Sequence, residues 1–241
     1  MRVKLTIAYN GAPYFGLQSQ TTTDRTIIGT LQSAFKRLGI HSKLIASGRT
    51  DRGVHATAQV LHCDLPAHWS DLTKLKQSIH YHIPNSIRVK KIEPSANDFH
   101  ARYSAKRRVY RYVLSEHTPN PFEADFVTFT GTIDLDLINQ AMHAFIGTHD
   151  FVYFKKSGSD TTDFVRTIYK AFAYRYRGKV ILYFEANGYL RSQIRLMVGF
   201  LLAVNTGKSN LEQLHEQLSA KMQHHTRLAP ENGLYLAKIK Y

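Results

Sequence analysis

Apolar residues recur with a period of two at Val3, Leu5, Ile7 and Tyr9, which predicts an opening strand with one buried face. The period then changes. Ile28, Leu31, Phe35 and Leu38 fall at helical spacing, with Gly39 placed to end the helix. A second helix is expected with Ser70 as its N-cap and Leu72, Leu75 and Ile79 turned inward, stopping short of Pro84; Ile87 and Val89 suggest a strand after it. The pattern starts again with a strand at residues 109–114 and a helical stripe of Leu137, Ile138, Ala141, Met142 and Phe145 closed by Gly147. Two β-prone runs, 165–176 and 180–186, flank Arg177-Gly178-Lys179, which reads as a hairpin turn. Leu190, Ile194, Met197, Val198, Leu201 and Leu202 predict a strongly apolar helix ending at Gly207, followed by a shorter helix from about Leu211 and a last strand over 234–241. The expected fold class is α+β, with two similar sheet-and-helix halves, 1–102 and 103–241, joined near residues 99–106 without a low-complexity linker.

Length and composition sharpen that picture. With 241 residues and 43% hydrophobic content the chain buries a sizeable core, which excludes disorder as the default. Lys and Arg outnumber Asp and Glu by 32 to 18, a formal net charge of +14, so a polyanionic partner is expected and nucleic acid is the first choice; a solvated basic surface is the alternative. The 14 Tyr and 13 Phe include faces on which unpaired bases can stack, though most belong to the core. Cys63 is the one cysteine, so no intrachain disulfide can form. Residues 1–13 lack the apolar stretch of a signal peptide, and the apolar run 197–204 is too short to span a bilayer; a soluble, cytoplasmic protein with no membrane partner is expected.

The most unusual stretch is Ala46-Ser47-Gly48-Arg49-Thr50-Asp51-Arg52-Gly53-Val54-His55-Ala56. Two glycines bracket a carboxylate set between two arginines, so a turn presents Asp51 in a positive field that favours the ionised form a nucleophile or base requires. An ordinary turn aspartate solvated beside two surface arginines gives the same local pattern. Other signals are dismissed. Gly207-Lys208-Ser209 imitates the end of a phosphate-binding loop, but the required first glycine falls at Leu202. His80 with His82, and His62 beside Cys63, lack the spaced second pair of ligands that a metal site needs.

The segment from Gly48 to Ala56 resembles the signature of the tRNA pseudouridine synthase A family, Gly-Arg-Thr-Asp, one variable residue, then Gly-Val-His-Ala. Further matches follow in order: Ala8-Tyr9-Asn10-Gly11 with Tyr14, Gly16 and Gln18; Phe99-His100-Ala101-Arg102-Tyr103-Ser104-Ala105; Tyr110-Arg111-Tyr112; Gly147-Thr148-His149-Asp150-Phe151; Val165-Arg166-Thr167-Ile168; and Leu228-Ala229-Pro230 with Gly233-Leu234. Two places depart from the family pattern. Leu17 stands where Trp is usual, and Ser192-Gln193 replaces a His-Met pair while Arg191 and Arg195 are kept; both departures bear on packing and RNA contacts.

The resemblance implies a pseudouridine synthase fold with a basic cleft between its halves, the isomerisation of uridine to pseudouridine in tRNA, and no metal or other cofactor. Thr50 ahead of Asp51 points to the tRNA branch. Asp51 matches the family's indispensable carboxylate; whether it attacks the uracil ring, attacks C1′ or assists glycal formation stays open. Tyr110 matches the tyrosine that lies against the target base, where a strand tyrosine paired across a sheet is the plainer reading. Arg195 matches the helix arginine that pairs with the catalytic carboxylate, and Arg49 the residue that takes the place of the flipped nucleotide. A solvated helix charge and a phosphate contact are their respective alternatives. Arg102, Lys106, Arg107, Arg108 and Arg111 cluster around the join and are expected to bind phosphates without reading sequence. The resemblance further implies a homodimer with tRNA lying across both subunits, and modification at nucleotides 38 to 40 of the anticodon arm. A non-catalytic RNA-binding protein, or a synthase for another RNA, are the competing functions.

The charge balance generates a first test. RNA affinity falls log-linearly with salt as counterions are released, and Lys106→Ala lowers the slope by about one unit if the ammonium touches a phosphate. Filter-binding titrations over a salt series read it; an unchanged slope and affinity place Lys106 outside the RNA footprint.

Overall fold

In the computed structural model, which describes residues 1–118, 120–158 and 161–241, the opening alternation becomes β1 (Arg2–Tyr9), with Val3, Leu5, Ile7 and Tyr9 all buried. The polypeptide divides into two compact units. One comprises residues 1–106 with 235–241, the other 107–234. Together they hold ten strands and five α-helices among the described residues, a mixed α/β architecture of sheets carrying helices.

In the first unit β1 is followed by α1 (Ile27–Arg37), β2 (Ile45–Ala46), β3 (His55–Asp64), α2 (Leu72–His82) and β4 (Ile87–Pro94), and the last strand of the chain, β10 (Leu234–Lys240), joins them. The sheet order is β4-β1-β3-β10, with β2 on β3. β1 runs antiparallel to both neighbours, whereas β10 lies parallel to β3, with Tyr235 opposite His55 and Leu236 opposite Ala56. Thr26 caps α1 by accepting the Gly29 N–H, and Gly39 follows the helix at φ +72°, as the spacing predicts. The cap of α2 is Asp71 rather than Ser70, because its carboxylate accepts the amides of both Thr73 and Lys74 at 2.9 Å. No alternation of apolar and polar residues announces β3. Residues 59–63 are buried one after another, so this strand, covered on both faces, carries no period of two.

The second unit comprises β5 (Arg107–Ser115), β6 (Thr128–Phe129), α3 (Leu135–Ala144), β7 (Gly147–Asp150), β8 (Val165–Tyr176), β9 (Lys179–Ala186), α4 (Gln193–Asn205) and α5 (Leu211–Leu218). Its strands run β5-β9-β8-β7, with β6 on β5. The β8–β9 hairpin closes through Arg177 and Gly178 at φ +47° and +72°, the two positive values that match the twist of the strands it joins. α3 packs on β8 and α4, and α4 is buried nearly all round, from Ile194 through Val204. Gly199 lets it close on the chain: a Cβ there would lie 2.1 Å from the Arg227 carbonyl. Two expected helix ends shift. α3 stops at its cap Phe145, so Gly147, at φ +119°, opens β7 instead, and α4 begins only at Gln193 because Ser192, at φ +57°, breaks the helical path after Leu190. No helix of the described residues is long and apolar enough to cross a membrane.

The dismissed pair His62 and Cys63 is buried here. His62 Nδ1 accepts the Ala101 N–H at 3.1 Å, while burial pushes the Cys63 thiol up to about 12, which keeps it protonated. Burial, followed by the neighbouring His100 and Arg2, lowers the pKa of His62. The unfolded chain protonates this imidazole below about pH 6.5. The folded state resists, so unfolding takes up a proton as pH falls, and the stability His62 contributes is present above that value and lost below it. His62→Asn, whose Oδ1 can accept the same N–H without titrating, is expected to show a shallower fall in Tm between about pH 7 and pH 5 than the wild type. Parallel melting curves across that range would remove His62 from the acid response.

Candidate active site

The turn between β2 and β3 is fixed by hydrogen bonds along its backbone. The Ser47 N–H donates to the Val60 carbonyl at 2.9 Å, the buried Gln59 amide donates to the Gly48 carbonyl at 2.9 Å, and the Val54 N–H closes the turn onto the Asp51 carbonyl at 3.2 Å. Thr50 is buried, with its Oγ1 2.8 Å from the Tyr9 hydroxyl and its carbonyl accepting the Leu17 N–H at 3.2 Å. Gly53, at φ +76°, then swings the chain into β3.

A second loop, between β1 and α1, is laid directly on this turn. A Cβ on Gly11 would lie 2.1 Å from the Val54 carbonyl oxygen, and one on Gly16 would lie 3.1 Å from that of Thr50. Only glycine permits the first approach, and Gly16 also sits at φ +100°. The Gly11 N–H donates to Nδ1 of the buried His55 at 3.0 Å, and the His55 ring stacks on Tyr235 of β10 at 4.7 Å between centroids. Asp51 is therefore held at the half-buried tip of a turn whose flanks, Thr50 and residues 53–56, are buried. The two arginines beside it differ. Arg52 lies over the Phe15 ring at 4.6 Å, with Arg25 at 5.8 Å from the same ring, whereas Arg49 extends from the exposed side of the turn.

The other expected site residues divide between the units. Tyr110 lies in β5 opposite Phe184, mostly buried, with its ring at 84° to Tyr189 and 5.2 Å from it. Arg195 lies in the first turn of α4. Its Nε donates to the Ala229 carbonyl and its Nη2 to Glu231 Oε2, each at 2.8 Å, which fixes the guanidinium plane. The cations at 106–111 do not share one surface. Strand alternation puts Arg108 on the face of Tyr110, where it donates to the Asn187 carbonyl at 2.9 Å, and turns Arg107 and Arg111 to the opposite face. There Arg107 pairs with the buried Glu185 at 3.1 Å and covers Tyr169 at 4.2 Å, and Arg111 stands opposite Tyr183, whose hydroxyl donates to Glu185. Arg102 and Lys106 belong to the first unit and are exposed, the former over Tyr103. Residues without a role in the sequence reading now have one. Tyr9, Gly11, Gly16, His55 and Gln59 hold the Asp51 turn, and Glu231 holds Arg195; two glycines five residues apart just after a strand were the available signal.

A family model described as tRNA pseudouridine synthase matches residues 5–104 and 141–241 of the chain. The chain belongs to that family. It is 41% identical over 235 residues to a tRNA pseudouridine synthase A of Wolinella succinogenes, covering 98% of this chain and 92% of the relative. It is 39% identical to one of Helicobacter hepaticus (99% of this chain, 98% of the relative) and 38% identical to one of Limosilactobacillus reuteri (100% and 96%). The protein is accordingly an RNA-modifying isomerase, a tRNA pseudouridine synthase: the C1′–N1 bond of a uridine breaks, the uracil turns, C1′ bonds to C5, the C5 hydrogen leaves as a proton and N1 takes one up, so that no atom is gained or lost. The two matched segments contain the Asp51 turn and Arg195; Tyr110 and the cations at 106–111 fall between them.

The close approach of the two loops predicts a defect at a residue remote from the chemistry. Gly11→Ala must push the Val54 carbonyl away and tilt the Asp51 turn, and a displacement of that size costs on the order of tenfold to a hundredfold in turnover. Single-turnover tritium release from tRNA carrying 5-tritiated uridine measures it. A wild-type rate would show that the turn tolerates the shift.

Proposed function

We propose that the protein isomerises uridines 38, 39 and 40 in the anticodon stem-loop of tRNA, in the cytoplasm, with Asp51 as the nucleophilic carboxylate. The observation that carries this reading is the Asp51 turn itself: a carboxylate at an accessible tip, flanked by buried residues and two arginines, and anchored by backbone contacts that a solvated surface aspartate does not need. A non-catalytic RNA-binding protein has no use for such an anchor.

The remaining roles follow from the resemblance. Tyr110 stacks on the target base. Arg195, whose guanidinium plane Ala229 and Glu231 already orient, pairs with Asp51 and keeps it ionised and aimed. Arg49, extended from the exposed side of the turn, enters the RNA stack in place of the flipped nucleotide. Arg102, Lys106 and Arg108 contact phosphates of the RNA. Arg107 and Arg111, on the other face of β5, contact phosphates farther along the tRNA, which lies across a homodimer. The isomerisation has no net redox change, so the reading requires no cofactor.

Asp51→Asn is expected to abolish tritium release while leaving tRNA affinity nearly intact, since the carboxylate performs chemistry and contributes little binding; more than a trace of release sinks the assignment. Arg49→Lys keeps the charge and loses the planar stacking surface. Because extruding a base costs about a few kcal/mol in a stem and less where it is already unstacked, the variant should lose most activity on a stem uridine and much less on a loop uridine. Equal losses on both substrates would make Arg49 a partner of Asp51 or of phosphate.

A further inference from the structure

The segment between β9 and α4, residues 187–192, is unusually well secured. Asn187 exchanges hydrogen bonds with the Thr167 backbone at 3.1 Å in each direction, and Arg191 donates to the carbonyls of Ser157 and Gly158. Gln193, one of the residues departing from the family pattern, is buried and latches the segment from its far end. Its Oε1 accepts the Leu190 N–H at 2.8 Å while its own N–H donates to the Leu190 carbonyl at 3.2 Å.

Tyr189 lies within this clamp. The residue is half-buried and its ring meets Tyr110 nearly at right angles, but its hydroxyl oxygen is buried and has no hydrogen-bond partner among the described residues. Burial first, then Tyr110, Glu185 and Tyr183, raises this phenol well above the ordinary range, so it is neutral and keeps its proton to donate. A buried hydroxyl without a partner destabilises a fold, and phenylalanine would pack as well without that cost. The hydroxyl therefore makes sense as a group kept for a ligand.

We infer that Tyr189 reads the polar edge of the target uracil, its buried hydroxyl hydrogen-bonding the base while Tyr110 stacks on the ring face. The inference rests on the assignment of Tyr110 to the target base. A base stacked on Tyr110 is parallel to that ring, so the plane of Tyr189 meets the base almost perpendicularly and cannot stack on it, which leaves the hydroxyl as its means of polar contact.

The test separates stability from activity. Tyr189→Phe should melt at or above the wild-type temperature, because it deletes an unpaired buried group, yet lose about tenfold in single-turnover rate on tRNA. Anticodon stem-loops carrying 2-thiouridine or 4-thiouridine at the target position, followed by nucleoside chromatography, identify the contact: the analogue replacing the oxygen that Tyr189 meets should slow the wild type more than it slows Tyr189→Phe. A wild-type rate, a fall in Tm accompanying the loss, or equal slowing of both proteins by each analogue overturns the inference. Tyr110→Ala and Asp51→Asn run alongside. If Tyr110→Ala turns over normally, the base-stacking reading has failed; if it is inactive while Tyr189→Phe is unaffected, only the edge-reading role has.

Discussion

The contact on which the site depends is one of backbone on backbone. The loop after β1 rests on the Asp51 turn at Gly11 and Gly16, where no side chain intervenes, and the turn answers with the buried Thr50 and the carbonyls of Thr50 and Val54. Side-chain packing can relax by changing rotamers; two opposed peptide planes cannot. The carboxylate thereby inherits the rigidity of β1 and β3, the strands that its turn and the covering loop extend.

The second unit handles a comparable problem by other means. Tyr110 sits in a strand flanked by β9, and Arg195 in the first turn of a helix buried almost all round. Neither side chain hangs from a free loop. Arg195 is held by a carbonyl and a carboxylate at 2.8 Å, so it keeps little of the conformational freedom of a long side chain. Glu185 shows the same economy on the opposite face of the sheet, where one buried carboxylate takes both Arg107 and the Tyr183 hydroxyl.

How much of this was legible in the sequence depended on whether a local pattern had a local cause. β1, the β8–β9 hairpin and the apolar helix α4 were readable because their periodicity reports one buried face, a twisted turn or full burial. β3 was not, since residues 59–63, polar Gln59 and His62 among them, are buried consecutively by neighbours contributed from distant parts of the chain. Ser192 hid the start of α4: its left-handed backbone accompanies the latch between Gln193 and Leu190, and serine itself gives no sign of it. At the site, the unusual composition around Asp51 marked the turn, but the partners that hold it, Tyr9, Gly11, His55 and Gln59, are brought there by strand pairing. The split of the cations at 107, 108 and 111 between two faces follows from strand alternation and could have been drawn from the sequence once the strand was assigned.

The return of β10 to the first sheet has a bearing on how the enzyme comes into being. Residues 235–241 pair beside β3, and Tyr235 lies against the histidine that anchors the loop over the Asp51 turn, yet they are synthesised after the whole of the second unit. A nascent chain therefore exposes one edge of β3 throughout most of its translation, and the Asp51 turn lacks its final brace until the last strand arrives. A chain cut between α4 and β10 would keep Asp51, Tyr110 and Arg195 but not the strand that supports the first of them. The geometry of the Asp51 turn thus depends on residues far away in the sequence, through Tyr235, His55 and Gly11.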